Sequence, residues 1–257
     1  DLAGVERAAH AGTLDPKVTG CLPTMLGDAT RLAPVFLEGG KEYIAVLELH
    51  GLPPTDAEAT LAEFEADVYQ KPPRKSAVAR RLRSREIYEL DLLELQDRQA
   101  LLRIRCESGT YIRKLCHDLG LALGTGAHMG DLRRSATGPL DDTDLRTLQD
   151  LADGLAWARE DGSEEFLREV VSPAERAMEH LPAVTIARSA AVEVADGAPV
   201  YAPGILELDD AAQELDPGDD GLLACYTPDG SAVCLGKLTG DPDAESGEVV
   251  SLERVLV

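Results

Sequence analysis

The strand pattern in the first half of the chain is the feature that most constrains its fold. Residues 41–50 alternate apolar and polar side chains with the period of a half-buried strand. Residues 86–95 and 100–107 are two further β segments, and the polar residues 96–99 between them predict a hairpin turn. The apolar face of the strand at 41–50 consists of Tyr43, Ala45, Leu47 and Leu49. A sheet that contains a hairpin is therefore expected in this half.

Helical patterns lie between and after these strands. The segments predicted to be helical are the end of a helix at 2–9, residues 55 to about 68, residues 110 to about 123, residues 144–157 and residues 164–179. The second begins with the capping-box pattern Thr55-Asp56-Ala57-Glu58, and the third ends at Gly124-Thr125-Gly126. Helices inserted between strands predict the α+β class with a mixed sheet.

The Leu181-Pro182 dipeptide marks a predicted domain boundary. After it, Gly and Pro residues separate short β-like runs, the pattern of a small β-barrel. These runs are residues 183–187, 191–194, 222–226, 231–235 and 248–256. Residues 207–220 are dense in Asp and Glu, and we expect them to form an exposed loop. The predicted domains are therefore 1–180 and 181–257.

The charge of the chain is unevenly distributed. The net charge is −22, yet residues 1–134 carry 20 acidic and 18 basic side chains, whereas residues 135–257 carry 27 acidic and 7 basic ones. Residues 71–85 hold seven Lys or Arg and no acid. We call this segment the basic island. A basic island in an acidic protein indicates a polyanion partner, although a solvated charged segment is the ordinary alternative.

Lysine is scarce in this acidic chain, with 6 Lys against 19 Arg. An excess of carboxylates keeps a protein hydrated and soluble where salt screens charge repulsion. The composition therefore favours a high-salt cytoplasm, as in halophilic archaea, although an unrelated acidic adaptation would give a similar composition.

The five cysteines, an odd number without C-x-x-C spacing, favour reduced thiols in the cytoplasm over a disulfide framework or a zinc ribbon. No apolar run is long enough to span a bilayer, so no membrane partner is expected. The chain contains no GxGxxG motif, no P-loop and no cluster of metal ligands. We therefore expect neither a cofactor nor a metal.

Asp15 lies in a restricted loop, within the sequence His-Ala-Gly-Thr-Leu-Asp-Pro at 10–16. Pro16 biases Asp15 toward extended geometry, and Gly12 allows a positive φ or a close backbone approach. By itself this stretch also fits an ordinary surface turn.

Three further segments change that interpretation. They are Lys41-Glu42-Tyr43, the stretch from Ser108 to Arg113, and the stretch from Ala127 to Arg134. In this order the four motifs resemble the TruB/dyskerin family of pseudouridine synthases over nearly the whole chain. Residues 69–88 are most similar to the archaeal dyskerin-like members, and residues 181–257 resemble their PUA domain. The family begins with a segment that is absent before Asp1, so we expect the N-terminus to be truncated.

The resemblance implies an RNA isomerase that converts uridine to pseudouridine without cofactor or metal. The implied catalytic residues are Asp15, Tyr43 and Arg113: a carboxylate that attacks the ribose or removes a proton from it, a tyrosine that stacks on the flipped uracil, and a cation that holds the carboxylate ionised. Leu132 is implied to close the base pocket, and His10 to stack near displaced nucleotides. On sequence alone, a surface arginine and a core leucine are the ordinary alternatives for Arg113 and Leu132.

The implied RNA contacts include the basic island, through phosphate contacts of Arg74, Lys75, Arg80, Arg81, Arg83 and Arg85. Three hypotheses follow. The first is the catalytic subunit of an archaeal H/ACA ribonucleoprotein, with a guide RNA and three small proteins as partners, acting on rRNA and on tRNA uridine 55. The second is a stand-alone tRNA uridine-55 synthase. The third is an RNA-binding scaffold without catalysis, which the set of Asp15, Tyr43 and Arg113 disfavours.

Overall fold

The computed structural model of the protein describes residues 2–72 and 79–257. The chain forms two compact units. The central-sheet unit contains His10–Pro23 and Phe36–Arg146. The C-terminal unit contains Thr24–Val35, Thr147–Val257 and the residues before His10. The predicted domain boundary at 180/181 stays a prediction.

The secondary structure of the described residues is mixed. The strands are β1 (Ala8–His10), β2 (Thr19–Gly20), β3 (Thr24–Leu26), β4 (Lys41–Leu49), β5 (Asp67–Gln70), β6 (Arg83–Gln96), β7 (Gln99–Cys106), β8 (Ala127–Thr137), β9 (Leu140–Asp141), β10 (Ala183–Ile186), β11 (Val200–Tyr201), β12 (Ile205–Leu208), β13 (Leu223–Tyr226), β14 (Ala232–Leu238) and β15 (Glu248–Val255). The α-helices are α1 (Ala33–Glu38), α2 (Ala57–Ala62), α3 (Ile112–Ala122), α4 (Leu148–Glu160), α5 (Glu165–Val170), α6 (Arg188–Ala195) and α7 (Asp210–Gln213).

The central sheet has the strand order β2-β8-β4-β7-β6-β5, and β9 pairs with β8. Only the β2–β8 pairing among these is parallel. The predicted strand at 41–50 and the predicted hairpin are confirmed as β4 and as β6 with β7. Because alternate residues of β4 point to one face, Ala45, Leu47 and Leu49 are buried in the core. The amphipathic helix α3 covers that core with Leu115 and Leu119.

Two predicted elements of the first 70 residues are wrong. Residues 2–9 do not end a helix: Gly4 has φ +66°, and β1 pairs with β3 in a two-stranded sheet. The helix expected from 55 to about 68 ends at Ala62. Its N-cap residue, Asp56, makes no side-chain capping bond, and the chain returns to the sheet as β5, where Val68 packs against the core. Sheet pairing thus overrides the local helical pattern in both places.

The C-terminal unit contains a six-stranded sheet of order β11-β15-β14-β13-β10-β12. The runs predicted at 183–187, 222–226, 231–235 and 248–256 correspond to β10, β13, β14 and β15. The run at 191–194 is instead part of α6, which buries Val194 and exposes Val192, and the region 207–220 includes the end of β12 and α7. The Asp209 side chain caps α7 by accepting from the Ala212 N–H at 2.7 Å, so acidic composition there does not exclude structure.

Candidate functional site

The predicted catalytic carboxylate lies on a tight turn. Residues 12–21, which we call the Asp15 loop, contain a β-turn in which the Val18 N–H donates to the Asp15 carbonyl at 3.0 Å. Pro16 occupies the position that proline favours in such turns, and Lys17 has φ +76°. A non-glycine residue in this region costs about 1–3 kcal/mol. The loop therefore stores strain that other contacts must offset.

These contacts come from Arg134 on β8. Its Nε donates to the Cys21 carbonyl at 2.8 Å, and its Nη2 donates to the Gly12 carbonyl at 3.0 Å. Gly12 has φ +82°, and a Cβ there would lie 3.2 Å from Nη1 of Arg134. Gly20 has φ +101°, and a Cβ there would overlap the Arg134 carbonyl oxygen. The close approach predicted for Gly12 is confirmed, and Gly20 shares it.

Asp15 and Arg113 form an ion pair. Arg113, on the first turn of α3, donates from Nη2 to Oδ2 of Asp15 at 2.8 Å. Ninety-eight residues separate the two in sequence. The side chains are 62% and 55% exposed, respectively. Exposed pairs contribute only about 0–1 kcal/mol to stability, so this pair is not explained by a need to hold the fold.

Tyr43 lies on β4, directly opposite Arg134 on β8. Burial raises the pKa of the Tyr43 hydroxyl, and the nearby Cys106 thiol and Asp15 carboxylate raise it further. The positive charge of Arg134 opposes this increase in pKa. The three predicted catalytic residues thus belong to one neighbourhood, in which Tyr43 stays a neutral phenol at physiological pH.

Leu132 and His10 occupy different kinds of position. Leu132 lies on β8 opposite Ala45 and is partly buried against the core. It therefore contributes to the packing of the core. His10 is exposed at the end of β1. Their predicted roles toward a nucleotide stay predictions.

Gln70 connects the base of the basic island to the helix that carries Arg113. The Tyr111 N–H donates to Oε1 of Gln70 at 2.8 Å, and Nε2 of Gln70 donates to the Tyr111 carbonyl at 3.3 Å. Gln70 is 2% exposed. This buried two-point contact fixes the backbone two residues before Arg113.

The basic residues differ in their contacts. Arg80 donates from Nε to the Pro72 carbonyl at 3.1 Å, and Arg83 opposes Gln70 in the β5–β6 pairing. Within residues 2–72 and 79–257, no acidic side chain forms a salt bridge with Arg80, Arg81 or Arg83. Arg85 forms a salt bridge with Glu107 at 2.9 Å, which neutralises its positive charge locally. Arg74 and Lys75 lie outside the described residues.

Replacement of Gln70 by Ala is expected to lower the free energy of unfolding by about 1–3 kcal/mol, because it removes two hydrogen bonds from a buried site. Chemical denaturation measures this change. Gln99→Ala is the matched control, since Gln99 bonds Glu48 at an exposed position and should cost much less. Equal losses in the two variants would contradict the structural role of Gln70.

The described part of the chain contains no group of three or more His, Cys, Asp or Glu side chains arranged to hold a metal ion. It also has no helix with the length and apolar character needed to cross a membrane.

Comparison with known proteins defines the class. The family model described as TruB family pseudouridylate synthase (N terminal domain) matches residues 1–59, and that described as tRNA pseudouridylate synthase B C-terminal domain matches residues 113–179. These segments include Asp15, Tyr43, Arg113 and Arg134. The protein is therefore an RNA pseudouridine synthase. The chain belongs to the TruB family.

Curated relatives support this identification. A probable tRNA pseudouridine synthase B of Halobacterium salinarum is 64% identical over 264 residues, covering 100% of this chain and 87% of the relative. The same-named protein of Haloarcula marismortui is 63% identical over 258 residues, covering 100% of this chain and 82% of the relative. Both relatives come from halophilic archaea, in agreement with the prediction from charge and lysine content.

Solved structures match the whole chain. The structure of a Cbf5-Nop10-Gar1 complex matches with a TM-score of 0.90 and 43% identity, covering 100% of this chain and 78% of that one. An H/ACA RNP bound to a substrate RNA containing 2'-deoxyuridine matches with a TM-score of 0.87 and 41% identity over the same shares. The predicted α+β fold, with a PUA-type β domain after the catalytic sheet, is confirmed.

Proposed function

We propose that this pseudouridine synthase is the catalytic subunit of a guide-RNA ribonucleoprotein of the H/ACA type. The observation that carries the proposal is the match over the entire chain to proteins solved within such complexes. The proposed partners are a guide RNA, its target RNA and small proteins like those named in these structures. Five free cysteines support a reducing compartment, the cytoplasm.

In the proposed site, Asp15 attacks the ribose or removes a proton from it while the glycosidic N–C bond breaks, and Arg113 orients the Asp15 carboxylate. The freed uracil is then rejoined to the ribose through carbon 5, which loses its hydrogen as the Asp15 carboxylate is regenerated. The pair is exposed without RNA. A bound nucleotide would exclude water from it and strengthen the attraction between the two charges. The exposure of Asp15 and Arg113 thus fits a site that the substrate itself completes.

Tyr43 and Leu132 are proposed to hold the uracil. Enzymes that act on a base take it out of its stack, at a cost of a few kcal/mol. A half-buried phenol ring and an apolar side chain offer the flipped base a stacking surface and an apolar wall. Tyr43 and Leu132 both line the β4–β8 pairing, so one rigid part of the sheet would carry both contacts. His10 is proposed to stack on a nucleotide beside the target.

The basic island is proposed to grip the RNA backbone. Arg80, Arg81 and Arg83 are available because no described acid pairs with them, whereas Arg85 is already paired with Glu107. Arg74 and Lys75 are proposed to contact phosphates as well, and this part of the proposal rests only on their positive charge. Phosphate contacts would then offset the cost of base flipping.

Stand-alone modification of tRNA is the second candidate function, since the curated relatives carry the name of a tRNA pseudouridine synthase. The full chain should be tested with a guide RNA, its paired target and the small partner proteins, and separately with a tRNA transcript alone. Tritium release from uridine labelled at carbon 5 measures turnover.

We expect guide-dependent turnover on the paired target, and the loss of this turnover when the guide is scrambled. Turnover on tRNA alone, with none on any guide–target pair, would overturn the guide-dependent proposal and leave the stand-alone enzyme. Reactions without the protein give the background tritium release in both arms.

A further inference from the structure

Arg134 is a buried cation that the catalytic assignments leave without a role. It is 2% exposed, and no carboxylate among the described residues forms a salt bridge with it. Lys41, also buried, lies close enough that burial and the Arg134 charge lower its pKa to about 8. Burying a charge without a counter-ion is costly. Two adjacent buried cations are therefore not explained by packing alone.

The hydrogen bonds of Arg134 all lead to the catalytic region. One guanidinium bonds the carbonyls of Gly12 and Cys21, at the two ends of the Asp15 loop, at 3.0 and 2.8 Å. The Arg134 backbone lies directly opposite Tyr43 in the β4–β8 pairing. The Arg134 backbone carbonyl also accepts from the Cys21 N–H at 2.7 Å. A single residue thereby connects both ends of the loop to the part of the sheet that carries the tyrosine.

We propose that Arg134 is a positioning residue for pseudouridine formation, which holds the Asp15 loop and Tyr43 in one fixed arrangement. The guanidinium is planar and presents donors in several fixed directions, so it can bond both carbonyls from one rigid group. An ammonium group presents its donors from one atom, so it cannot reproduce the fixed directions in which Nε and Nη2 of Arg134 meet the Cys21 and Gly12 carbonyls. This inference rests on the proposed role of Asp15.

Arg134→Lys is the first test, because it keeps the positive charge and removes the planar guanidinium with its fixed donor directions. Displacing a reacting group by about 1 Å costs roughly 10²-fold in rate, so we expect kcat to fall by about that factor. KM for RNA should stay nearly constant, since Arg134 is buried away from solvent and its side-chain hydrogen bonds go to Gly12 and Cys21 rather than to the described residues of the basic island. A merely destabilising change would lower the active fraction and the melting temperature together.

Gly12→Ala is the second test, which holds even if Arg134→Lys fails to fold. The added Cβ would press on Nη1 of Arg134 while the charge remains. Gly124→Ala is its matched control: Gly124 has φ +70°, similar to the +82° of Gly12, but has nothing within 4 Å of an added Cβ. We expect a fall in kcat of about tenfold or more for Gly12→Ala and little change for Gly124→Ala.

Equal kcat values for Gly12→Ala and Gly124→Ala, or wild-type kcat for folded Arg134→Lys, would overturn the proposal. Asp15→Asn is measured in parallel. If it retains turnover, the assignment of Asp15 fails. If it is inactive while the Arg134 and Gly12 variants are fully active, only the positioning role fails.

Discussion

Asp15→Asn is expected to abolish pseudouridine formation, lowering the rate by roughly 10³-fold or more, while RNA affinity stays nearly unchanged. The amide has the shape of the carboxylate but carries no negative charge, so it can neither attack the ribose as an anion nor remove a proton. It can still accept a hydrogen bond from Arg113, which preserves the local geometry. Tritium release measures turnover, and filter binding measures affinity.

Asp91→Asn is the matched control for this change. Asp91 forms an ion pair with Arg103 at 2.7 Å, in the same unit and at similar exposure. Loss of a surface ion pair alone should cost at most about 1 kcal/mol of stability and no turnover. Measurable turnover by folded Asp15→Asn protein would exclude Asp15 as the reacting group.

The strands that pack against one core were predictable from the sequence, because burial imposes a period of two on them. The strand β4 and the β6–β7 hairpin illustrate this. In contrast, β8 was not predicted, although its residues 127–134 were recognised as a motif. Its buried positions do not alternate, and its register with β4 shifts twice. An irregular strand lacks the pattern on which a sequence prediction depends.

The Asp15–Arg113 pair came from a family resemblance, since nothing in the spacing of residues so far apart brings them together. Arg134 and Gln70 were missed as positioning groups for a related reason. Their importance depends on burial and on backbone partners across the sheet, and neither is visible before the strand order is known. A strand prediction for 127–137 would have helped, because adjacent Arg133 and Arg134 must then point to opposite faces.

The basic island gives the second large expected effect. Arg81 and Arg83 have no acidic partner among the described residues, so their charges are available to RNA phosphates. The control arginines, Arg103 and Arg105, lie on β7 and pair with Asp91 and Glu89 at 2.7 and 2.8 Å. The two pairs of arginines therefore carry the same formal charge, but a neighbouring carboxylate neutralises each member of the control pair.

The Arg81→Ser/Arg83→Ser double variant is expected to bind RNA more weakly, irrespective of sequence. Each lost phosphate contact should reduce the steepness of log K against log salt by roughly 0.7–0.9, since fewer counterions are released on binding. The expected reduction for the double variant is thus about 1.4–1.8. The Arg103→Ser/Arg105→Ser double variant should keep the slope nearly unchanged. Fluorescence anisotropy with a labelled RNA across a salt series measures both, and equal slopes for the two variants would mean that Arg81 and Arg83 do not contact phosphate.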